Sequence, residues 1–206
     1  MRLILAFLLL AVVYFPRPLA AAEPPLLLVL GDSLSAARGM DLDAGWVHLL
    51  KLRLEKCHYQ YRILNASISG DTTQGGVTRL PRLLQKYRPA IVIIELGAND
   101  GLRGIDPSVS RANLAALVRQ SQASGARVLL AGIRLPPNYG PAYTSEFEAM
   151  YADIAREYGT MLVPFFMQGV ALDPTLMQAD NLHPNEQGQA LLLANVWKVL
   201  SPALQR

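Results

Sequence analysis

The sequence has one cysteine, three histidines and no internal repeat. Because Cys57 is alone, no internal disulfide can form, and the domain must be stabilised by its core. We interpret Cys57 as a structural side chain late in an amphipathic helix rather than as a nucleophile. No Gly-x-Gly-x-x-Gly or Gly-x-x-x-x-Gly-Lys-Ser/Thr pattern follows an apolar strand, which argues against a nucleotide-binding site.

The excess of positive charge is small when residues 1–22 are left out. The 206 residues carry a formal net charge of +3, and residues 1–22 contain Arg2 and Arg17 but no acid. Without residues 1–22, 17 basic residues face 16 acidic ones, a net charge of +1. The remaining basic residues are scattered over predicted helices, so no nucleic-acid partner is expected.

The first residues have the pattern of a secretory signal peptide. Arg2 precedes an unbroken apolar run over residues 3–15, and three alanines at 20–22 offer a cleavage site. The run is short for a membrane span, which needs about 20 residues. We therefore expect residues 1–22 to be removed, leaving a domain over residues 23–206 in the periplasm without a membrane span. A lipoprotein is not expected, because no cysteine lies near the cleavage site.

Five short apolar runs predict β-strands. They lie at residues 26–30, 61–64, 91–96, 128–133 and 161–163. Several are apolar throughout, as strands covered on both faces must be. Helical patterns fall between them, and this alternation predicts one parallel sheet with helices on both faces.

Several of the predicted helices carry end signals. Asp106 is predicted to cap the helix that follows it. Ser145 and Glu148 predict a capping box at the start of the next helix, which Gly159 ends. A last helix is predicted over residues 186–200.

The residues that can support nucleophilic catalysis lie in predicted loops. Ser33 follows the first strand, and a serine hydroxyl needs a base to become a good nucleophile. His183 lies in a polar loop, three residues after Asp180. This spacing lets the carboxylate reach Nδ1 of the imidazole and leaves Nε2 for the serine. His48 and His58 lie in or beside the first predicted helix, where surface or packing roles suit them.

Hydrogen-bond donors for an oxyanion are predicted in three loops. The Ser33 amide begins a strand-to-helix turn, Gly70 has no side chain in the way, and Asn99 offers a side-chain amide. Such residues also populate loops for turn geometry alone, so each is a weak signal by itself. The carboxyl ends of parallel strands meet at one edge, so the combination with His183 favours a serine hydrolase.

In their order along the chain, the loops that carry these residues resemble the four sequence blocks of the SGNH hydrolases, also called the GDSL esterase/lipase family. Residues 31–35 (GDSLS) resemble the first block, with Ser33 as nucleophile. The glycine, the asparagine and the Asp-x-x-His pair of the other blocks correspond to Gly70, Asn99, Asp180 and His183.

Longer matching segments point to one group within this family. Residues 65–72 (NASISGDT) and 95–104 (ELGANDGLRG) are similar to bacterial members that hydrolyse acyl thioesters, aryl esters and lysophospholipids. Ala98 departs from the family, in which a second glycine is common. The resemblance implies a single flavodoxin-like three-layer α/β/α domain with a five-stranded parallel sheet. It also implies that residues 72–80 close over the substrate and that no metal or cofactor takes part.

The implied reaction passes through an acyl-enzyme on Ser33. His183 removes the hydroxyl proton, and the oxyanion is held by the amides of Ser33 and Gly70 and by Asn99. Water then releases the acid. The substrate is a small-molecule acyl ester or lysophospholipid, and the protein is expected to be a monomer.

The acyl side of the substrate is expected to meet apolar loop residues. Leu135, Tyr139 and residues 165–167 favour a long acyl chain, although they could equally belong to the core. Asp32 and Tyr139 are assigned as substrate-binding residues. No basic cluster marks a site for the phosphates of coenzyme A, so different leaving groups should be tolerated.

Two other classes of function remain open. A carbohydrate O-acetylesterase could use the same catalytic residues with a smaller acyl pocket. A non-catalytic module, which binds a nucleotide, a flavin or an ester, could share the fold. A fluorophosphonate probe would separate an enzyme from an inactive scaffold, and a flavin binder would be yellow.

Overall fold

The computed structural model describes residues 23–205, which form one five-stranded parallel sheet. The strands are β1 (Leu26–Gly31), β2 (Arg62–Asn65), β3 (Ile91–Glu95), β4 (Arg127–Ala131) and β5 (Met161–Val163). Their order is β2-β1-β3-β4-β5, and each neighbouring pair is parallel. This is the flavodoxin-like order, so the predicted fold class is confirmed, with every strand within two residues of its predicted ends.

Helices cover both faces of the sheet. They are α1 (Trp46–Lys56), α2 (Thr73–Tyr87), α3 (Ala98–Leu102), α4 (Pro107–Ala123), α5 (Pro141–Tyr158) and α6 (Glu186–Leu200). Helix α1 packs against α6, whereas α2, α4 and α5 pack in a second group. Within residues 23–205, no helix is both long and apolar enough to span a membrane.

Most predicted helix ends agree with the structure, with one exception. Asp106 caps α4, and Gly159 ends α5 in the left-handed conformation. The capping box at Ser145 and Glu148 is wrong, because α5 begins one turn earlier at Pro141. A proline has no N–H to satisfy and a φ suited to a first turn, so it starts the helix there.

The core forms where the sheet meets the large side chains of the helices. All residues of β1 and β3 are buried, as their apolar sequences predict. Trp46, Phe147, Tyr151 and Phe166 are the largest side chains with almost no exposure. The rings of Trp46 and Phe166 meet edge to face, 5.5 Å apart, beneath the carboxyl ends of the strands. The loops at this edge therefore rest on buried aromatic side chains.

The connections of the sheet create a crevice between β1 and β3. The chain continues from β1 to β2 on one side, and then returns to place β3 on the other side of β1. Ligands of open parallel sheets bind at such a reversal, outside the carboxyl ends of the strands. Ser33 follows β1 and Asn99 follows β3, so the fold brings both to this crevice.

Candidate active site

A tight turn after β1 presents Ser33. One carboxylate oxygen of Asp32 accepts the Leu34 N–H at 3.0 Å, and the Asp32 carbonyl accepts the Ala36 N–H at 3.0 Å. Ser33 itself is partly exposed at the cavity wall. Its Oγ lies 2.8 Å from Nε2 of His183, 150 residues later in the chain.

His183 is held by Asp180 from the other side of its ring. Nδ1 of His183 lies 2.6 Å from Oδ2 of Asp180. Oδ1 of the same carboxylate accepts the backbone N–H groups of Leu182 and His183, each at 3.0 Å. These backbone bonds, followed by the bond from the imidazole, lower the pKa of Asp180 to about 2. The carboxylate is therefore charged at neutral pH and fixes the tautomer of the ring.

The loop that carries His183 is tied to the loop that carries Ser33. Gln178 donates from Nε2 to the Arg38 carbonyl at 2.8 Å and to the Pro184 carbonyl at 3.0 Å. Its backbone N–H donates to the His183 carbonyl at 2.7 Å. Gln178 could not be singled out from the sequence, because a glutamine in a polar loop carries no signal until its distant partners are known.

Two backbone N–H groups of cavity-lining residues have no acceptor among the described residues. Neither the Ser33 N–H nor the Gly70 N–H donates to any residue in the part of the chain that the structure describes. Both residues line the cavity. Gly70 has a φ of +82°, a conformation that disfavours any residue with a Cβ. Orphan N–H groups beside a nucleophile are suited to hold an oxyanion.

Asn99 reaches the same cavity, but its amide hydrogens are engaged. Its Nδ2 donates to Oδ2 of Asp32 at 3.0 Å and to the Asp71 carbonyl at 2.9 Å. The three predicted donors therefore come together, and two of them are unpartnered. A third contribution from Asn99 requires one of its hydrogens to be shared with the oxyanion.

Two buried carboxyl groups lie under the nucleophile turn. Asp32 is 1% exposed and Glu95, the last residue of β3, is fully buried. Oε2 of Glu95 accepts the Ser35 hydroxyl at 2.6 Å, and Ser35 Oγ accepts the Trp46 indole N–H at 3.1 Å. Glu95 was missed as a site residue, although one acid in an apolar strand (IVIIEL) is a signal for a buried network.

Burial raises the pKa values of both acids. Burial out of water raises the pKa of Asp32 to about 7. Hydrogen bonds from the Leu34 N–H and from Asn99 act in the opposite direction and lower it. For Glu95, burial and then the nearby Asp32 charge raise the pKa well above its usual value. Asp32 does not line the cavity. It is buried and accepts a hydrogen bond from Asn99 Nδ2 at 3.0 Å, and its contact with substrate stays a prediction.

The segment after Gly70 is a packed helix rather than an open flap. Residues 72–80 form the cap and first half of α2, with Leu80 fully buried. Arg79 bonds Asp71 at 2.7 Å and also donates to the carbonyls of Gly31 and Ala66. None of residues 72–80 lines the cavity. The closure over substrate that the resemblance implied is therefore absent from this conformation.

An apolar cavity of about 640 Å³ opens beside Ser33 and His183. Of the predicted acyl-side residues, Leu135, Phe165 and Met167 line it, whereas Phe166 belongs to the core. Tyr139 does not line it. Its hydroxyl donates to the Leu102 carbonyl at 3.0 Å, and its ring stacks on a neighbouring tyrosine. Other apolar residues of the lining include Ile133, Pro136, Pro137 and Met177.

Histidines other than His183 lie outside this arrangement. His48 is 3.1 Å from the Asp43 carboxylate, and His58 is exposed just after α1. No group of three His, Cys, Asp or Glu side chains within residues 23–205 is arranged to hold a metal ion.

Comparison with known proteins places these residues in a family. Residues 29–191 match the GDSL-like lipase/acylhydrolase family, and the chain belongs to it. Esterase TesA of Pseudomonas aeruginosa is 53% identical over 185 residues, which cover 90% of this chain and 91% of that protein. Thioesterase 1/protease 1/lysophospholipase L1 of Escherichia coli is 44% identical over 182 residues, covering 88% and 86%.

Solved structures agree with the fold. The psychrotrophic esterase EstA of Pseudoalteromonas, inhibited by monoethylphosphonate, superimposes with a TM-score of 0.83 at 42% identity. The match covers 86% of this chain and 97% of that chain. The family resemblance drawn from the sequence blocks is thereby confirmed.

The raised pKa of Asp32 predicts a specific dependence of stability on pH. The folded pKa of about 7 exceeds the ordinary value of 3.8, so the folded protein holds a proton that the unfolded chain loses. Its stabilising contribution is present below about pH 4 and is lost as pH rises through 7. The free energy of unfolding in urea should fall more steeply between pH 4 and 8 in wild type than in Asp32→Asn.

Asp41→Asn is the matched control, because Asp41 is exposed and forms no side-chain cap. It should keep the wild-type slope. Equal slopes for wild type and Asp32→Asn would contradict the prediction.

Proposed function

We propose that the protein is a serine hydrolase that cleaves acyl esters and thioesters through an acyl-enzyme on Ser33. The observation that carries the proposal is the hydrogen-bonded chain from Ser33 Oγ through His183 to Asp180. Its two bonds measure 2.8 Å and 2.6 Å. Family membership supports it, since the similar proteins are named as esterases and a thioesterase.

The geometry supports a two-step reaction. His183 Nε2 takes the Ser33 proton while Oγ attacks the acyl carbonyl, and the negative charge moves to the carbonyl oxygen. The free N–H groups of Ser33 and Gly70 receive that oxyanion, and Asn99 contributes if one of its hydrogens is shared. The imidazolium then protonates the leaving alcohol or thiol. A water molecule, deprotonated by His183, attacks the acyl-enzyme. The bond to Ser33 Oγ then breaks, His183 returns the proton to Oγ, and the acid is released.

Asp180 supports both steps without exchanging a proton. Its pKa of about 2 keeps it ionised while the imidazole gains and loses a proton at Nε2. A fixed carboxylate at Nδ1 stabilises the transient imidazolium and keeps Nε2 facing Ser33.

The cavity supports acyl chains longer than acetate. Its apolar inner wall and volume of about 640 Å³ suit a hydrocarbon chain, and each buried methylene contributes about 0.8 kcal/mol. The residues assigned to chemistry touch the acyl carbonyl, so aryl alcohols, thiols and lysoglycerophospholipids can all serve as leaving groups. The acetyl group cleaved by a carbohydrate O-acetylesterase would leave most of this apolar wall without contacts.

Substitutions in the hydrogen-bonded chain should have graded effects on ester hydrolysis. Ser33→Ala and His183→Ala should each lower kcat by a factor on the order of 10⁶, because the covalent route is lost. Asp180→Asn should cost up to about 10⁴, because the wrong tautomer is favoured. Asn99→Ala should cost about 10² to 10³.

Steady-state hydrolysis of an aryl ester measures these effects, with circular dichroism to confirm folding. His58→Ala is the control, since His58 is exposed and has no role in the proposal. Full activity in purified Ser33→Ala would exclude the acyl-enzyme.

Selectivity should reside in the acyl chain rather than in the leaving group. kcat/KM for aryl esters should rise from C2 toward medium or long chains, because added methylenes are buried in the cavity. The measurement is a series from C2 to C16, beside palmitoyl-coenzyme A and a lysophosphatidyl lipid. Activity confined to acetyl esters would favour the carbohydrate acetylesterase instead.

Residues 1–22 lie outside the described residues, and we propose that they act as a signal peptide. The basic start, apolar run and alanine triplet support export and cleavage. The protein isolated from its native host should begin near Glu23 and be recovered from the periplasm. N-terminal sequencing tests this, and a protein retained in the cytoplasm with Met1 intact would refute it.

A further inference from the structure

Three leucines around the mouth of the cavity are exposed to solvent. Leu102, Leu172 and Leu182, which we call the rim, are 36%, 97% and 48% exposed. They come from α3, from the loop after β5 and from the His183 loop, and all three line the cavity that holds Ser33. Single exposed leucines are ordinary on proteins, but several around one apolar opening are typical of a contact surface.

The outward position of Leu172 is fixed by its neighbours. Val170 is fully buried, and its carbonyl accepts the Asp173 N–H at 3.0 Å. The Asp173 carboxylate accepts the Thr175 N–H at 2.9 Å and the Thr175 hydroxyl at 2.6 Å. The turn is thus anchored in the core on one side and capped on the other. Leu172 projects from its tip, and the adjacent acid is turned toward Thr175.

Basic side chains lie beside the rim, whereas the neighbouring acids Asp180 and Asp173 are hydrogen-bonded to His183 and Thr175. The cavity lining includes Arg38 and Arg134 but no Asp or Glu. Arg38 is exposed and forms no ion pair with any described residue, whereas Arg134 is paired with Glu148 at 2.7 Å. Arg103, next to Leu102, is exposed and donates to the Gly70 carbonyl. Apolar side chains flanked by cations match the headgroup region of an anionic lipid surface.

The same charges disfavour a second copy of the chain as the occupant. In a two-fold symmetric contact the same patch meets itself, so the exposed arginines Arg38 and Arg103 would be brought near a second set of the same arginines. Like charges brought together in this way oppose association. An anionic lipid surface has no such conflict.

We propose that the rim docks on the surface of an anionic lipid aggregate. Leu172 and Leu182 enter the headgroup region, and the acyl chain passes from the aggregate into the cavity without crossing bulk water. The inference rests on the proposed function, because docking would serve to deliver an acyl chain to Ser33. Its test measures binding alone, so a failure of docking and a failure of catalysis give different results.

The experiment is cosedimentation with vesicles of equal parts phosphatidylglycerol and phosphatidylcholine. All proteins carry Ser33→Ala, so that lipid is not consumed, and all share one N-terminus, so that residues 1–22 cannot account for differences. Adding Leu172→Gln should lower the partition coefficient about tenfold, and adding Leu182→Gln should lower it further. The matched control is Leu52→Gln, on α1 outside the rim, where Leu52 is 47% exposed. It should leave binding unchanged.

The electrostatic part of the proposal has its own measurement. Arg38→Gln, phosphatidylcholine vesicles without phosphatidylglycerol, or about 1 M salt should each weaken binding several-fold. Equal binding by the Leu172→Gln and Leu52→Gln proteins, or no binding by the parent protein, would overturn docking. So would sedimentation velocity showing a dimer that Leu172→Gln dissociates, since the rim would then face a second copy.

Discussion

The Asp32 carboxyl group lies out of water where the chain leaves β1, and the site is arranged around the donors that satisfy it. One oxygen accepts a hydrogen bond from the Leu34 N–H and shapes the nucleophile turn. The other accepts a hydrogen bond from the side-chain amide of Asn99. The second amide hydrogen of Asn99 reaches the Asp71 carbonyl, beside Gly70. One buried group thus connects the loops that follow three adjacent strands. Leaving such a carboxyl group without donors would cost several kcal/mol, so this arrangement has few alternatives.

The sheet and the reacting groups could be predicted because each leaves a local pattern in the sequence. Strands buried on both faces must be apolar throughout, and β1 and β3 are. A serine nucleophile needs a base and donors, so Ser33, Gly70 and His183 stand out in the loops between strands and helices. The order of the strands needed the structure or the family resemblance, because alternation alone fits several arrangements of a parallel sheet. The capping box failed because Ser145 matched a pattern inside a helix that Pro141 had already begun.

The residues that hold the site together could not be predicted, because their partners are distant in sequence. Gln178 bonds the carbonyl of Arg38, 140 residues away, and Arg79 reaches the Gly31 carbonyl across 48 residues. Neither belongs to a motif. Tyr139 was placed in the cavity on its apolar character, but the direction of a loop side chain depends on tertiary packing, and here the ring turns toward α3. Family membership is consistent with the roles assigned to Ser33, Asp180 and His183, which the proposed substitutions test.

Much of the cavity wall comes from loops other than those that carry the nucleophile and the unpartnered amides. Residues 133–137 and 165–177, after β4 and β5, supply half of the lining residues, and Asp180 and His183 follow in the second of these connections. The nucleophile turn and the unpartnered amides follow β1 and β2, held from below by Asp32 and Glu95. Mutations that reshape the wall can therefore accumulate during evolution while the carboxyl network stays unchanged. On this scaffold, substitutions in the wall offer a route to the release of different acids while the nucleophile turn stays unchanged.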